Sequence, residues 1–208
     1  MEEQIYNIIE IFAEKYPNPE SALNYENEFE LLIATILSAQ TTDKQVNKVT
    51  EKLFEKYNNP EDFAKLTPEE LQKDIKSIGL YKNKSKYVIK TAKKLISDFS
   101  SKVPDNRKDL MKLTGVGRKT ANVVLSCAFT EDAIPVDTHV FRLANRIGLA
   151  NSEKVREVEE ELMNVIPQKY WSKMHHWLIF HGREICKAQN PRCDKCDISN
   201  YCNFYNKE

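Results

Sequence analysis

Apolar residues recur along this chain three and four positions apart, the spacing that places them on one face of an α-helix. Four such stripes lie at residues 5–12, 29–37, 88–99 and 155–166. No segment shows the strict alternation of apolar and polar residues that a half-buried strand requires. The pattern therefore predicts an all-α fold of about ten short helices.

Breaks in this pattern carry residues that start or stop helices. Thr67 is followed by Pro68 and, three positions on, by Glu70, which predicts a capping box with proline in the first turn of a helix. The segment Glu131–Pro135 also interrupts the helical pattern. We expect the chain to pass there from one lobe to the other of a closely packed, two-lobed fold.

Charge is distributed unevenly, although basic and acidic side chains balance over the whole chain at 31 each. Residues 1–80 contain 8 basic and 16 acidic side chains, whereas residues 81–119 contain 12 basic and 3 acidic ones. A basic segment of this kind is the footprint expected of a surface that meets phosphates. Taken alone, Lys82, Lys84 and Lys86 fit a solvated helix face equally well.

The basic segment ends in the turn Leu113-Thr-Gly-Val-Gly-Arg-Lys119, which holds two of the five glycines in the chain. Glycine permits backbone angles and close approaches that a Cβ atom would block. A helical segment follows, so the amides of its first turn would form an anion site beside Lys119. Asp137 comes eighteen residues later. Lys119 is thus a potential amine nucleophile beside a phosphate site. The alternative is that Lys119 only binds phosphate and that Asp137 only caps a helix.

Four of the five cysteines lie in the last 23 residues with the spacing C-x6-C-x2-C-x5-C: Cys186, Cys193, Cys196 and Cys202. Cysteines packed this densely in a reducing compartment favour a metal centre over disulfides. Zinc and a four-iron cluster both accept four thiolates, and the spacing leaves that choice open. The loop between Cys186 and Cys193 carries Lys187 and Arg192. A bound metal would fix this loop as a rigid basic surface able to contact a phosphate. The alternative is that the two basic residues serve only solubility.

Together the hairpin, the segment Val136–His139 and the cysteine tail resemble the endonuclease III branch of the helix-hairpin-helix DNA glycosylases. Segments Leu37–Asp43 and Ile78–Tyr81 also look like DNA-facing loops of that family. The resemblance covers the whole chain. Thr114 departs from it, because the family commonly has proline there, which loses some rigidity in the hairpin but no chemistry.

The resemblance implies an all-α, two-lobed helix-hairpin-helix DNA glycosylase fold with DNA in the cleft between the lobes. A six-helix lobe would span residues 21–131 and contain the hairpin. The other lobe, residues 1–20 with 132–208, would hold a [4Fe-4S] cluster on the four cysteines.

The resemblance also implies roles for individual residues. Lys119 would be the nucleophile, and Asp137 would act as general base or stabilise positive charge on the sugar. Gln40 would contact the base left unpaired when the damaged base is flipped out, and Leu80 would wedge into the gap, although Leu80 could equally be a hydrophobic staple. Phosphate contacts would come from the hairpin: Gly115, Val116, Gly117 and Arg118.

The implied activity is that of a bifunctional DNA glycosylase and abasic-site lyase that removes oxidised pyrimidines. The expected partner is double-stranded DNA with damaged bases or abasic sites. We expect a monomer in the cytoplasm, associated with the nucleoid through DNA and not with a membrane. Alternatives are a sister glycosylase with another specificity, such as a mismatch enzyme, a DNA-binding module without catalysis, and an iron–sulfur electron carrier.

Overall fold

The computed structural model describes residues 2–129 and 133–206, and every regular element within them is a helix. The all-α prediction is confirmed. The helices of these residues are α1 (Glu2–Lys15), α2 (Glu28–Ser38), α3 (Asp43–Lys56), α4 (Pro60–Lys65), α5 (Pro68–Asp74), α6 (Tyr81–Phe99), α7 (Arg107–Leu110), α8 (Arg118–Ala128), α9 (Thr138–Ile147), α10 (Val155–Val165) and α11 (Trp171–Glu184). Short 3-10 turns lie at Gln168–Tyr170, Cys193–Lys195 and Ser199–Tyr201.

The described residues form two compact units, each with its own apolar core. Helices α2 to α8 belong to one unit, residues 21–129, and helices α1 and α9 to α11 belong to the other, residues 2–20 with 133–206. Of the predicted break at 131–135, residues 131 and 132 lie outside the described part of the chain. None of the described helices is long and apolar enough to cross a bilayer.

In the unit of residues 21–129, α2 is the central helix. Every residue from Phe29 to Leu37 is buried, which is the pattern of a core helix covered on all sides. Helices α3, α6 and α8 pack against it, and α6 also packs against α4 and α5. The long helix α6 therefore connects several elements of this unit.

In the other unit, α9 and α11 form the main helix pair, and α10 packs against α9. Helix α1 contributes Phe12 to a cluster of rings that includes Trp177 of α11. The indole Nε1 of Trp177 donates to the carbonyl of Tyr16 at 3.0 Å, which satisfies its one polar group inside the core.

The predicted apolar stripes coincide with α1, α2, α6 and α10, except that Ile166 is the C-cap of α10, and two of their residues are exposed. Val155 is 53% exposed because it is the first residue of α10, before the turn that packs on the core. Ile96 of α6 is also exposed. The predicted capping box is present: Thr67 Oγ1 accepts from the Glu70 amide, and the Glu70 carboxylate accepts from the Thr67 amide.

Candidate active site

The glycine turn connects α7 to α8 and is held against α6. Gly115 has a φ of +83°, and a Cβ atom there would lie 3.1 Å from the ring of Tyr87. The left-handed backbone and this close contact both require glycine. Thr91 Oγ1 of α6 donates to the carbonyl of Thr114 at 2.8 Å. A hydrogen bond therefore anchors the position at which proline was expected.

Gly117 has a different role in the turn. It is the N-cap of α8 with an extended backbone, and nothing lies within 4 Å of the place a Cβ atom would take. The Val116 amide donates to the carbonyl of Leu113 at 3.2 Å, so this amide serves the turn itself. Within the described residues, four amides around the helix start donate to no acceptor: Gly115, Gly117, Lys119 and Thr120. The turn thus presents an open anion site of the kind found at helix N-termini.

Lys119 is the second residue of α8, and its side chain is exposed beside this anion site. Arg118 precedes it and is partly exposed. The other candidate nucleophile of the helix is Cys127, which is partly buried. Burial raises the pKa of its thiol to about 11, so little thiolate is present at neutral pH. Lys119 is therefore the reactive side chain that α8 offers to a bound ligand.

Asp137 is the N-cap of α9. Its Oδ1 atom accepts from the amides of His139 at 2.8 Å and of Val140 at 2.9 Å. The capping role considered from the sequence is therefore real, and it fixes the carboxyl group at the start of the helix. Both capping bonds use Oδ1, so the cap does not occupy Oδ2.

Gln40 and Leu80 both have left-handed backbones, with φ of 55° and 58°. Such angles are uncommon for residues other than glycine and cost of order 1–3 kcal/mol each. Leu80 is also 55% exposed, so an apolar side chain stands in solvent at the start of α6. The two loops meet: Thr41 Oγ1 accepts from the Gly79 amide at 3.1 Å, and a Cβ atom at Gly79 would lie 3.0 Å from the Gln40 carbonyl oxygen.

The sequence placed Lys84 either on a phosphate-facing surface or on a solvated helix face, and both placements are wrong, because Lys84 lies buried beneath these two loops. It is only 3% exposed, and its Nζ donates to the carbonyls of Leu37 and Ala39 and to Thr41 Oγ1. Burial lowers the pKa of Lys84 to about 8. One signal was available in the sequence: Lys84 precedes Val88 by four residues and so continues the apolar stripe of α6.

The four cysteines line one cavity formed by α9, α11 and the C-terminal segment. The remaining wall is mostly apolar, with Leu143, Ile147, Ile185 and Ile198. Burial raises the pKa of the Cys196 thiol to about 11, and the charges of the other three cysteines act in the same direction. Thiolates in this cavity therefore need positive charge beside them, which a bound metal supplies. The all-sulfur donor set fits zinc or an iron–sulfur cluster.

The loop after Cys186 is braced by two arginines of α9. Arg146 donates to the carbonyls of Lys187 at 2.7 Å and Ala188 at 3.0 Å, and Arg142 donates to the carbonyl of Cys186 at 2.9 Å. The side chains of Lys187 and Arg192 are exposed. Protein contacts thus hold this basic loop in addition to whatever the cysteines bind.

His181 also contacts the cysteine site, and the sequence analysis did not identify it as part of that site. Its Nε2 lies 3.2 Å from Cys196 Sγ, and its Nδ1 lies 3.3 Å from the hydroxyl of Tyr16. Burial lowers the pKa of His181 to about 4, so the imidazole is neutral at physiological pH. The signal in the sequence was its position on α11, five residues before Cys186.

Comparison with known proteins assigns these features to a family. The family model described as HhH-GPD superfamily base excision DNA repair protein matches residues 33–168. Endonuclease III of Rickettsia conorii is 53% identical to this chain over 206 residues, which cover 99% of this chain and 98% of the relative. This chain belongs to the endonuclease III family. The resemblance seen in the hairpin, the aspartate and the cysteine tail is thereby confirmed.

Solved structures agree with this membership. A trapped endonuclease III–DNA covalent intermediate has a TM-score of 0.93 and 48% identity, and the match covers 100% of this chain and 98% of that one. A thermostable thymine-DNA glycosylase has a TM-score of 0.86 and 27% identity, covering 99% of this chain and 98% of that one. The helix-hairpin-helix glycosylase fold of the endonuclease III family is therefore that of this chain.

Proposed function

We propose that this chain is a base-excision-repair enzyme, a DNA N-glycosylase with abasic-site lyase activity. It removes oxidised pyrimidines and cuts the strand 3′ to the resulting site by β-elimination. The observation that carries the proposal is the exposed Lys119 amine beside the open amides of α8, in a chain of the endonuclease III family. The related endonuclease III captured as a covalent intermediate with DNA supports a side chain that bonds covalently to the substrate.

Lys119 acts as the nucleophile. Its neutral amine attacks C1′ of the damaged nucleotide, and the bond between C1′ and the base breaks with its electron pair leaving on the base. The sugar ring then opens to give a Schiff base between C1′ and Nζ. The imine acidifies the C2′ proton, and loss of that proton breaks the C3′–O bond. A hydroxyl nucleophile could release the base but could not form the imine.

Asp137 assists this reaction as a general base or by stabilising positive charge that develops on the sugar. The N-cap hydrogen bonds that Oδ1 of Asp137 accepts support the assignment, because they hold the carboxyl group in one orientation. The Oδ2 atom, which the cap leaves out, is the one we assign to catalysis.

DNA is held by the hairpin and distorted by the two strained loops. Amides of Gly115 and Gly117, the Arg118 side chain and the exposed Lys187 and Arg192 contact phosphates, which position the duplex without reading its sequence. We assign a weaker part to Val116, because its amide is used within the turn.

A base inside the stack is out of reach, so the enzyme flips it out. The exposed Leu80 fills the gap, and Gln40 hydrogen-bonds to the base left without a partner. The left-handed backbones of both residues support this role, because such strain is concentrated at functional sites.

The cysteines Cys186, Cys193, Cys196 and Cys202 hold a [4Fe-4S] cluster, which contributes by ordering the C-terminal segment. The four cysteines share one cavity, and their thiolates would suit zinc as well as a cluster. Membership of the endonuclease III family is what favours the cluster. Iron and acid-labile sulfide in equal amounts in the purified protein would support the cluster, and zinc alone would refute it.

The protein acts as a monomer on chromosomal DNA, so its site of action is the nucleoid in the cytoplasm. Both compact units have closed apolar cores of their own, which supports a monomer. Light scattering of the free protein and of its complex with an abasic-site duplex measures this directly.

Borohydride trapping tests the nucleophile. Wild-type protein mixed with abasic-site DNA and borohydride should become covalently joined to the strand, and Lys119→Gln should lose this product by at least about 10³-fold. Lys52→Gln on the exposed surface of α3 is the control and should trap normally. Trapping by Lys119→Gln at the wild-type rate, or attachment of the reduced adduct to another side chain, would overturn the assignment.

Excision of mismatched bases is the second candidate activity, because a thymine-DNA glycosylase is 27% identical to this chain and has the same fold. Duplexes with thymine glycol, other oxidised pyrimidines, a G·T mismatch and an A·G mismatch separate the possibilities. We expect excision of the oxidised pyrimidines. Excision confined to mismatched bases would instead indicate the sister specificity.

A further inference from the structure

Within residues 2–129 and 133–206, no carboxylate contacts the buried ammonium group of Lys84. The Lys84 Nζ atom donates three hydrogen bonds, all to uncharged oxygens: the carbonyls of Leu37 and Ala39, and Thr41 Oγ1. Burying an unpaired charge is costly, and an apolar residue in this position of α6 would avoid the cost. A side chain retained at such a cost calls for a function beyond packing.

The three acceptors all belong to the end of α2 and the loop that carries Gln40. Leu37 O and Ala39 O flank the helix end, where carbonyls lack intrahelical partners and attract positive charge. Thr41 lies on the other side of Gln40, so the acceptors of Lys84 are found on both sides of the strained residue. The ammonium group therefore holds the ends of this turn together.

The same side chain connects this turn to the Leu80 loop. Lys84 is in the first turn of α6, and its amide donates to the Leu80 carbonyl at 3.0 Å. Thr41 Oγ1 is shared, because it accepts from Lys84 Nζ at 3.2 Å and from the Gly79 amide at 3.1 Å. One network thus joins the two left-handed residues within a single compact unit.

We propose that Lys84 is a positioning residue that locks the Gln40 loop to the Leu80 loop, so that the two side chains enter duplex DNA together. The inference rests on the proposed function, because it gives Gln40 and Leu80 their roles at the flipped-out base. Lys84 touches neither the sugar nor the base. It acts through the loops, and its loss affects only reactions that require a gap in a duplex to be filled.

Lys84→Met, which keeps the length of the side chain and removes the charge, tests this role. The rate of single-turnover excision of thymine glycol from a duplex should fall about tenfold or more, as expected for a misplaced positioning group. Trapping on an abasic site in single-stranded DNA should stay within about twofold of wild type, because no partner base is present there. Lys52→Met is the matched control and should change neither rate.

A double-mutant cycle adds a readout that a general loss of structure would not reproduce. In a Gln40→Ala/Leu80→Ala background, Lys84→Met should cause little further loss of duplex excision, because the residues act as one unit. Thr41→Val removes the shared acceptor and should lower duplex excision in the same direction with normal single-strand trapping. It provides the test if Lys84→Met unfolds.

The outcomes separate the two proposals. If wild-type protein neither excises nor traps, the proposed function fails. If wild type is active and Lys84→Met lowers duplex and single-strand reactions equally, or adds fully to the loss in the Gln40→Ala/Leu80→Ala background, the positioning role is wrong. Equal duplex activity of Lys84→Met and wild type would also overturn it.

Discussion

Two glycines two positions apart carry out different tasks in the hairpin. Gly115 is required by its left-handed backbone and by the ring of Tyr87, whereas Gly117 has an ordinary extended backbone and open space in front of it. A glycine that the fold does not need is best explained by a ligand that must come close to the backbone. The sequence showed that both glycines matter but could not separate these reasons, because the position of Tyr87 depends on the tertiary structure.

Gly117→Ala should therefore weaken DNA binding without destabilising the protein. Its Cβ atom would meet no protein atom, and the cost of alanine as an N-cap is offset by the lower entropy of the unfolded chain, so the free energy of unfolding should change by less than about 0.5 kcal/mol. Affinity for an abasic-site duplex should fall about tenfold, because the Cβ atom occupies the space in front of the amides. Denaturant unfolding and a binding titration measure the two effects.

Gly115→Ala is the matched variant for this experiment. Its Cβ atom would meet Tyr87 on a left-handed backbone, so we expect a loss of stability of about 1 kcal/mol or more. Equal loss of stability in both variants would contradict the distinction between the two glycines.

Lys84 also gives stability a predictable dependence on pH. Its pKa is lowered by burial from 10.5 to about 8 in the folded protein, so between these values the unfolded chain binds a proton that the folded chain does not. The free energy of unfolding must then rise with pH through this group. Below pH 8 both states are protonated, and the full cost of burying the charge is present.

Comparison of wild type with Lys84→Met isolates this term from other titrating groups. The difference in free energy of unfolding, wild type minus variant, should increase between about pH 8 and 10.5 and be constant below pH 8. Urea unfolding at a series of pH values provides the measurement. A difference that stays constant throughout would mean that the Lys84 charge is not buried at a cost.

Among the helices, α9 shows how one residue can serve a helix and a reaction. Asp137 caps its N-terminus, and Gly148 ends it with a left-handed backbone at a φ of 97°. The carbonyls of the last turn are bonded by the cysteine segment, because the amides of Asn203 and Phe204 donate to Ile147 and Arg146. Helix α9 thus links the proposed catalytic carboxylate to the cysteine site within one unit.

Asp137→Asn should separate the two roles of this residue. Asparagine is as good an N-cap as aspartate, so stability should be retained within about 0.5 kcal/mol. Excision of thymine glycol should nevertheless fall by about 10²-fold or more, because the amide can neither accept a proton nor balance positive charge. Thermal unfolding and single-turnover excision measure the two properties.

Asp137→Ala provides the comparison, since it should lose the cap as well and cost about 1 kcal/mol. Full activity of Asp137→Asn would show that Asp137 only caps α9 and has no catalytic role, which is the alternative that the sequence left open.

Sequence patterns were sufficient for the helices whose boundaries are set by local chemistry. The stripe at residues 5–12 and the capping box at Thr67 depend on neighbours in the chain, and the structure reproduces both. Contacts between distant segments were not accessible in this way. Lys84 finds its acceptors more than 40 positions away, and His181 meets Tyr16 across 165 positions. Such partners are fixed by tertiary packing, which periodicity does not report.

For the molecule as a whole, balanced charge does not prevent DNA binding, because the charges are segregated along the chain. Phosphates respond to local potential, and with a Debye length of about 8 Å at physiological ionic strength an acidic residue weakens binding little when it lies farther than this from the bound phosphate. The basic residues of segment 81–119 and of the cysteine loop can therefore attract DNA although the acidic residues of 1–80 cancel their charge in total.

This view predicts how affinity depends on salt. The logarithm of the binding constant should fall linearly with the logarithm of salt concentration, with a slope of about −0.9 per neutralised phosphate. Lys187→Gln and Arg192→Gln should each make the slope shallower by about 0.9 if each side chain contacts one phosphate. Lys52→Gln also removes one positive charge, but from the acidic part of the chain, and should leave the slope unchanged. If all three variants changed the slope equally, net charge would govern binding, and the basic loop beside the cysteines would have no specific place in the DNA interface.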